Sequence, residues 1–317
     1  MKKLRIALIV PCHNESAAIE SLIQSFEKAL PEIKIFVFDN NSTDGTADIA
    51  SRCGAQVRHV KLQGKGNVVR RMFADVDADI YIMVDGDATY DAAVAPQLVQ
   101  QLIDDDLDML VGSRISTDQS AYRPGHRFGN RLLTDVVSLI FGRVFEDMLS
   151  GYRCFSRRFV KSFPAHSQGF EIETELAVHA LELRMPVAEI RTTYSPRIEG
   201  SISKLHTYRD GLRILWTIFK LFKAEKPLLF FTIGFTFFIL LALGLAAPLF
   251  TTYLETGLVP RLPTAILCSG LVILGFLSLI CGLILDTVTL GRIESKRLAY
   301  LNTPSTRSLL QKCENKF

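Results

Sequence analysis

The sequence predicts an α/β domain with a mostly parallel sheet, followed by an interfacial helix and a two-helix transmembrane hairpin. Three observations predict it. Short apolar, β-rich runs alternate with helical stretches through roughly the first 190 residues. The outgoing ends of those runs are polar or charged. Two long charge-free runs fill the C-terminal third.

The apolar runs are Leu4–Val10, Ile35–Phe38, Ile80–Val84 and Met109–Val111. Helical stretches between them include Ala17–Leu30, Thr46–Cys53 and Val94–Ile103. Short apolar runs separated by helices build βα units, whose parallel strands are covered on both faces. Ligands bind such sheets at the carboxyl ends of the strands. Pro11-Cys12-His13-Asn14-Glu15 follows the first run and Asp39 to Thr46 the second. Asp85-Gly86-Asp87 and Gly112-Ser113-Arg114 follow the other two. Asp39 to Thr46 alone reads equally well as a capping turn, with Ser42 or Asp44 as the cap. Four polar strand ends on one edge read as a site.

The first run contains Arg5 and enters a polar loop without a cleavage site, so it reads as a strand and not as a targeting segment. Leu228–Leu249 carries no charge and spans about 33 Å as a helix. Ala265–Leu285 is a second such run, and the loop between them carries only Glu255 and Arg261. A buried hairpin in a soluble protein is the competing reading, and the length of both runs disfavours it. Lys220, Lys223 and Lys226 precede the first run; Arg292, Lys296 and Arg297 follow the second. Positive outer flanks place the N-terminal domain and the tail on the cytoplasmic side of an inner membrane. In Tyr208–Glu225, Leu212, Leu215, Trp216, Phe219 and Phe222 share one face, which suits the headgroup layer. The expected organisation is a cytoplasmic domain over 1–207, a juxtamembrane helix over 208–226, two spans within 227–290 and a tail over 291–317. The polar stretch Asn302–Phe317 is expected to be flexible.

Composition removes other classes. Hydrophobic residues are 48% and charged residues 22%, so the chain is not disordered. A net charge of +3 gives no basis for nucleic-acid binding. Six cysteines without a CxxC pair exclude a zinc ribbon and argue against a disulfide scaffold. Gly64-Lys65-Gly66-Asn67 lacks the Ser or Thr of a Walker A loop, and no G-x-G-x-x-G follows the first strand.

Asp-x-Asp recurs at Asp75/Asp77, Asp77/Asp79, Asp104/Asp106 and Asp106/Asp108, all in polar turns before strands. Only Asp85/Asp87 ends an apolar strand. Two carboxylates there repel unless a cation joins them. Mg²⁺ or Mn²⁺, held by one or two carboxylates and a diphosphate, fits the pattern.

Taken together, these motifs resemble the family 2 glycosyltransferases of GT-A fold. More narrowly, they resemble polyprenyl-phosphate sugar transferases related to dolichyl-phosphate mannose synthase, in the bacterial branch with two C-terminal spans. Pro11–Glu15 matches P-x-Y-N-E with His13 for Tyr, and Asp39–Thr46 matches D-x-x-S-x-D-G-T. Gly64–Gly66 matches G-K-G, Asp85–Asp87 matches D-A-D, and Gly112–Arg114 matches G-S-R. Ser150–Arg153 matches S-G-[FY]-R, and Arg197–Leu205 resembles R-x-x-G-x-S-K-L with one extra residue. Thr89 stands where family members often carry Gln or Ser, which leaves a third protein metal ligand open. The Q-x-x-R-W motif of processive synthases is absent, since the only tryptophan is Trp216.

The resemblance implies a nucleotide-diphosphate sugar donor, with uridine favoured over guanosine. It implies that Pro11, His13, Glu15, Asp39, Asn41 and Lys65 hold the nucleotide, with Asp85, Gly86 and Asp87 beside the diphosphate. Asp85 and Asp87 would hold the metal. A polyprenyl phosphate, undecaprenyl phosphate in bacteria, is the implied acceptor. It is already anionic and needs cations more than a base. Arg114, Arg127, Arg131, Arg153, Arg197, Ser203 and Lys204 are its candidates, since Arg suits forked phosphate contacts. Each could also be a solvated surface residue; Arg114, Arg153 and Arg197 lie inside motifs. Asp147 takes the position of a catalytic carboxylate, either as base or as an orienting group. Glu171 and Glu173 are second candidates, at a helix start where the dipole alone favours acids. The resemblance further implies inversion at the anomeric carbon, a homo-oligomer such as a tetramer, and a separate flippase for the product. The competing readings are a transferase to a lipid hydroxyl and an inactive membrane scaffold.

Overall fold

The computed structural model describes residues 4–115, 126–142, 145–198 and 207–314. The chain forms β1 (Ile6–Cys12), α1 (Ile19–Ala29), β2 (Lys34–Asp39), α2 (Thr46–Arg52), β3 (Gln56–His59) and α3 (Lys65–Asp75). Next come β4 (Ile80–Met83), α4 (Ala95–Asp104), β5 (Met109–Ile115), α5 (His126–Phe141), β6 (Arg153–Ser156), α6 (Arg157–Ser162), α7 (Ile172–Glu182) and β7 (Val187–Thr193). Four helices complete it: α8 (Thr207–Glu225), α9 (Pro227–Thr256), α10 (Leu262–Leu301) and α11 (Thr306–Glu314). Two compact units result, one of residues 1–217 with 296–317 and one of residues 218–295.

In the first unit the strands form one sheet in the order β3-β2-β1-β4-β6-β5-β7. All pairings are parallel except those of β6, which runs antiparallel between β4 and β5. The order reverses direction at β1, so the ends of β1 and β4 flank the crevice where such sheets bind ligands. Leu8, Ile9, Val10, Val37, Ile80, Ile82 and Met83 are wholly buried, as strands covered on both faces must be. Ile19, Leu22, Ile23 and Phe26 of α1 join Leu98 and Leu102 of α4 in one core. Their spacing of three and four residues puts them on one helical face. Each such side chain contributes about 1.5–3 kcal/mol by burial. Phe73 of α3 meets Phe155 edge-on at 5.6 Å, and Phe155 stacks on Phe159 at 4.7 Å.

The four predicted strands are present; two begin where expected and the other ends shift by one to four residues. Three strands went unpredicted. Gln56–His59 and Val187–Thr193 are polar edge strands, and Arg153–Ser156 is short and opens on a charge.

The C-terminal stretch is corrected. It is helical over Thr306–Glu314, with Thr306 buried. Before it, Lys296 pairs with Glu182 at 2.7 Å and the Tyr300 hydroxyl donates to Asp108 at 2.8 Å. Arg158 lies 4.8 Å over the Tyr300 ring. Asp108 is a buried carboxylate ahead of β5 and requires donors. Tyr300 supplies one and Ser156 the other.

The second unit holds two helices long and apolar enough to cross a membrane. Gly282 packs against Phe231 and Leu228, and Gly275 against Ile239 and Phe235. Small residues at such contacts let helix backbones approach. Ser278 adds a hydroxyl hydrogen bond to the Phe231 carbonyl at 2.9 Å. Phe237, Leu240, Ile273, Leu277 and Ile284 all remain exposed. A core helix of a soluble protein would bury them; a hydrocarbon phase accepts them. On α8, Leu212, Leu215, Trp216 and Phe219 are likewise exposed on the face that the sequence marks as interfacial.

Candidate active site

Polar loops at the carboxyl ends of β1, β2 and β4 lock onto one another. The Asn14 and Ser16 amides donate to Ser42 Oγ and Asp44 Oδ2, each at 2.9 Å, and the Glu15 amide donates to Thr46 Oγ1 at 2.9 Å. In return the Thr43 amide donates to Asn14 Oδ1 at 2.8 Å. Burial works against the Asp44 charge, yet donors from Thr46 and Ser16 lower its carboxyl to about 2. Asn14, Asn41 and Ala88 all adopt positive φ, one in each of the three loops. Asn tolerates that conformation; Ala88, between Asp87 and Thr89, holds it at a cost that functional loops bear.

Asp39 is buried at the end of β2. Its Oδ2 pairs with His59 Nδ1 at 3.2 Å, and its Oδ1 has no partner among the described residues. His13 Nδ1 is likewise buried without a partner. Both are open polar atoms of the kind that a base and ribose satisfy. Pro11 is the penultimate residue of β1, level with Phe38 of β2. Asn41 is exposed and donates to the Lys61 carbonyl at 2.9 Å. Its neighbour Asn40 does the structural bridging, donating to the Val60 and Leu62 carbonyls and accepting from the Gly64 amide at 2.7 Å.

Gly64 and Gly66 lie against the backbone of Ser167 and Gln168, where any Cβ would collide with a carbonyl. The Gly66 amide donates to the Gln168 carbonyl at 3.0 Å. That close approach aims Lys65. Its Nζ lies 2.5 Å from both Asp85 Oδ1 and Glu173 Oε1. Burial opposes the ammonium charge, and the two carboxylates outweigh it, so Lys65 stays charged far above its ordinary range.

Asp85 and Asp87 end β4 as the sequence requires. Gly86 has Cys12 Sγ where its Cβ would be, 2.6 Å away. Gly151 has the Asp85 carboxylate in the same position. Asp87 is 4% exposed, and Thr89 Oγ1 donates to its Oδ1 at 2.7 Å. Burial first and Asp85 second push the Asp87 carboxyl up. Arg197, following β7, reaches Asp87 Oδ2 with Nη2 at 2.7 Å.

The antiparallel β6 explains the Ser150–Arg153 motif. Because β6 runs backward, its first residue sits level with Met83, the last residue of β4, and with Val111 of β5. Ser150 Oγ donates to the Gly112 carbonyl at 2.5 Å, and the Gly151 amide to the Tyr90 hydroxyl at 2.9 Å. Arg153 itself is corrected. Expected beside the reacting phosphates, it is wholly buried and donates to the carbonyls of Ser150, Met148 and Glu173. Its guanidinium fixes the turn that carries Asp147 and is closed off from solvent. Asp147 grips Arg114, which lies 5.7 Å from the Tyr194 ring.

Arg127 and Arg131 fall on α5, whose side chains there lie outside the described residues, as do Ser203 and Lys204 altogether. Sequence reasoning passed over Tyr90 and Glu175. Glu175 accepts from the His166 and Ser167 amides at 2.8 and 2.7 Å, and so holds the loop against which Gly64 and Gly66 pack. The available signal was the alternation Glu171-x-Glu173-x-Glu175, too many acids for one helix dipole. Among the described residues no group of three or more His, Cys, Asp or Glu gathers as a metal cage.

The sequence pattern of glycosyl transferase family 2 matches residues 7–162. A glycosyltransferase of Haloferax volcanii, AglJ, is 34% identical over 254 residues, covering 78% of this chain and 81% of its own. The chain belongs to glycosyl transferase family 2. It is a glycosyltransferase. A second family relative, a dolichol-phosphate mannosyltransferase of Pyrococcus furiosus, is 25% identical over 237 residues, covering 68% of this chain and 64% of its own. Among solved structures, glucosyl-3-phosphoglycerate synthase from Mycobacterium tuberculosis, bound to Mn²⁺, UDP and its product, superimposes with a TM-score of 0.56. It is 22% identical and covers 68% of this chain and 79% of that one, which establishes a shared GT-A fold.

Proposed function

We propose that this glycosyltransferase moves a sugar from a nucleotide-diphosphate donor to a polyprenyl phosphate at the cytoplasmic face of the membrane. The observation that carries the reading is the pairing of charges at the sheet edge. Arg114 and Arg197 are delivered to the end of the sheet that bears Asp85 and Asp87, and the nearby carboxylate Asp147 is engaged by Arg114. That is a site built to receive an anionic acceptor beside a diphosphate. A phosphate oxygen attacks the anomeric carbon as the bond to the donor diphosphate breaks, so no proton need be removed. Inversion follows from a single displacement. The exposed apolar helices and the dolichol-phosphate relative support a lipid carrier.

Asp39 and His13, with buried atoms open to a ligand, would hold the base and ribose, with Pro11, Glu15 and Asn41 around them. Asp85 and Asp87 fit a hard divalent ion: two carboxylates at one strand end, one of them desolvated and repelled by the other. The donor diphosphate would complete the ion's shell, since Thr89 is committed to Asp87. Mg²⁺ or Mn²⁺, when bound, offsets the charge of the departing nucleoside diphosphate. Lys65 braces Asp85, and Asp147 holds Arg114 toward the acceptor. Arg127, Arg131, Ser203 and Lys204 are further acceptor candidates by motif position. A homo-oligomer and a separate flippase complete the proposal.

The test is transfer by the detergent-purified protein to undecaprenyl phosphate, with Mg²⁺ or Mn²⁺ and nucleotide sugars supplied one at a time. Label moving into the organic phase from one donor, and lost in Asp87→Asn, is the expected result. Nucleotide binding without transfer to a lipid phosphate, but with transfer to diacylglycerol, overturns the acceptor and favours the hydroxyl.

A further inference from the structure

The two carboxylates after β4 are each matched to one basic side chain, and the two matches differ. Lys65 reaches Asp85 but also Glu173, both at 2.5 Å. Arg197 reaches Asp87 alone, and its Nη1 is buried without a partner among the described residues. An unpaired buried donor is costly, so the Arg197 position is satisfied only in part. The Asp87 side chain is 6% exposed and that of Arg197 30%, so the arginine approaches from the open side. Its backbone is fixed nearby: the Ser195 amide donates to the Thr89 carbonyl at 2.9 Å, and Tyr194 bridges Tyr90. Residues 195–198 form neither helix nor strand. The side chain can leave Asp87 while its anchor stays.

We propose that Arg197 is the resident counter-ion of Asp87, that a divalent cation displaces it, and that the displaced guanidinium then serves the acceptor phosphate. The inference rests on the metal reading above. A dication arriving at Asp85 and Asp87 repels both basic groups. Lys65 retains Glu173 and stays. Arg197 has no second carboxylate among the described residues and moves. The exchange brings +2 to the two carboxylates for the +1 that leaves with Arg197, and yields one free guanidinium for an anion. Arg197 is therefore an acceptor-binding residue whose availability reports cation binding.

The experiment measures Mn²⁺ binding to the full-length protein in detergent by the EPR signal of free Mn²⁺, and trypsin cleavage between Arg197 and Ile198. Arg197→Gln, which removes the competitor, is expected to bind Mn²⁺ about tenfold more tightly than the native chain, the factor imposed by a pair closed in about nine molecules of ten. Arg197→Lys, which keeps the charge, should bind close to the native value. In the native chain Mn²⁺ should speed cleavage after Arg197, and Asp87→Asn should be cut at the fast rate without Mn²⁺. Equal or weaker Mn²⁺ binding by Arg197→Gln, with the native chain binding normally, overturns the exchange and leaves the metal reading standing. Slow cleavage of Asp87→Asn overturns it without recourse to metal. Absence of Mn²⁺ binding in both proteins overturns the metal reading and the exchange together.

Discussion

Asp147 holds Arg114 in a two-pronged pair, Oδ2 to Nε and Oδ1 to Nη2, each at 2.7 Å, and its Oδ2 also accepts the Arg114 amide at 3.1 Å. Burial opposes the Arg114 charge and Asp147 outweighs it, so the guanidinium is charged throughout the working range. A carboxylate used in this way orients an arginine and is poorly placed to take a proton. Asp147→Asn keeps the shape and one acceptor but loses the second prong. The expected loss is about 10²-fold in turnover, the scale of a positioning fault, with the pH profile unchanged in shape. Steady-state rates across pH check this. Disappearance of a pH limb in the variant would identify Asp147 as a base, and with it a hydroxyl acceptor.

Lys65 separates two carboxylates that would otherwise face each other inside the protein. Lys65→Met removes the charge that both share in this position. Breaking a buried pair by removing one member costs about 3–5 kcal/mol. Lys65→Met combined with Glu173→Gln should recover part of that loss, because Asp85 is the more exposed carboxylate, at 31%, and can rehydrate. Chemical denaturation of the two variants reads the difference. A double variant no more stable than Lys65→Met would show that Glu173 does not depend on Lys65.

The sequence predicted the parallel half of the fold because β1, β2 and β4 are continuous apolar runs with no solvent face to interrupt them. It could not reveal β6, where a charged residue opens the strand and the chain direction reverses. That reversal is also why Arg153 was misplaced. A motif arginine at a strand end suggests a ligand, and only the antiparallel pairing turns its side chain into the carbonyls of its own turn and of Glu173. The role of Glu173 was masked by its place in the first turn of α7, where acids need no further explanation. The place of Asp85 and Asp87 after a buried strand was legible because four other Asp-x-Asp pairs followed no apolar run. Arg197 was legible by motif only. Its partner Asp87 is 110 residues away, and no local pattern links them.

Gly151 occupies the space beneath Asp85, and a methyl there would meet the carboxylate directly. The neighbouring amides cannot yield, since Gly151 donates to Tyr90 and Ser150 is held by Gly112. Gly151→Ala should therefore displace Asp85 and spare the core beneath. The expected result is a loss of Mn²⁺ affinity and of turnover, each about 10²-fold by the scale of a misplaced reacting group, with thermal stability lowered by only a few degrees. Isothermal titration and thermal unfolding together check it. Unchanged Mn²⁺ binding in a folded variant would remove Asp85 from the metal's neighbours.

His179 offers a pH test remote from the chemistry. It is buried on α7, its Nε2 lies 3.2 Å from Ser162 Oγ, and Phe159 and Phe163 stand edge-on at 5.4 and 5.3 Å. Burial, with the Lys296 charge second, lowers its pKa from 6.5 to about 3. The folded protein therefore keeps the ring neutral while the unfolded chain protonates it. Between about pH 6.5 and 3 the unfolded state binds one more proton, so stability rises with pH across that window and falls as acid is added. The slope from this one group is about 1.4 kcal/mol per pH unit. His179→Gln cannot take up that proton and should flatten the acid limb by the same amount, at the cost of some packing at every pH. Unfolding free energies measured at intervals from pH 7 to about 4 in one detergent would show it, and parallel acid limbs in the two proteins would mean that the ring is protonated in the folded state as well.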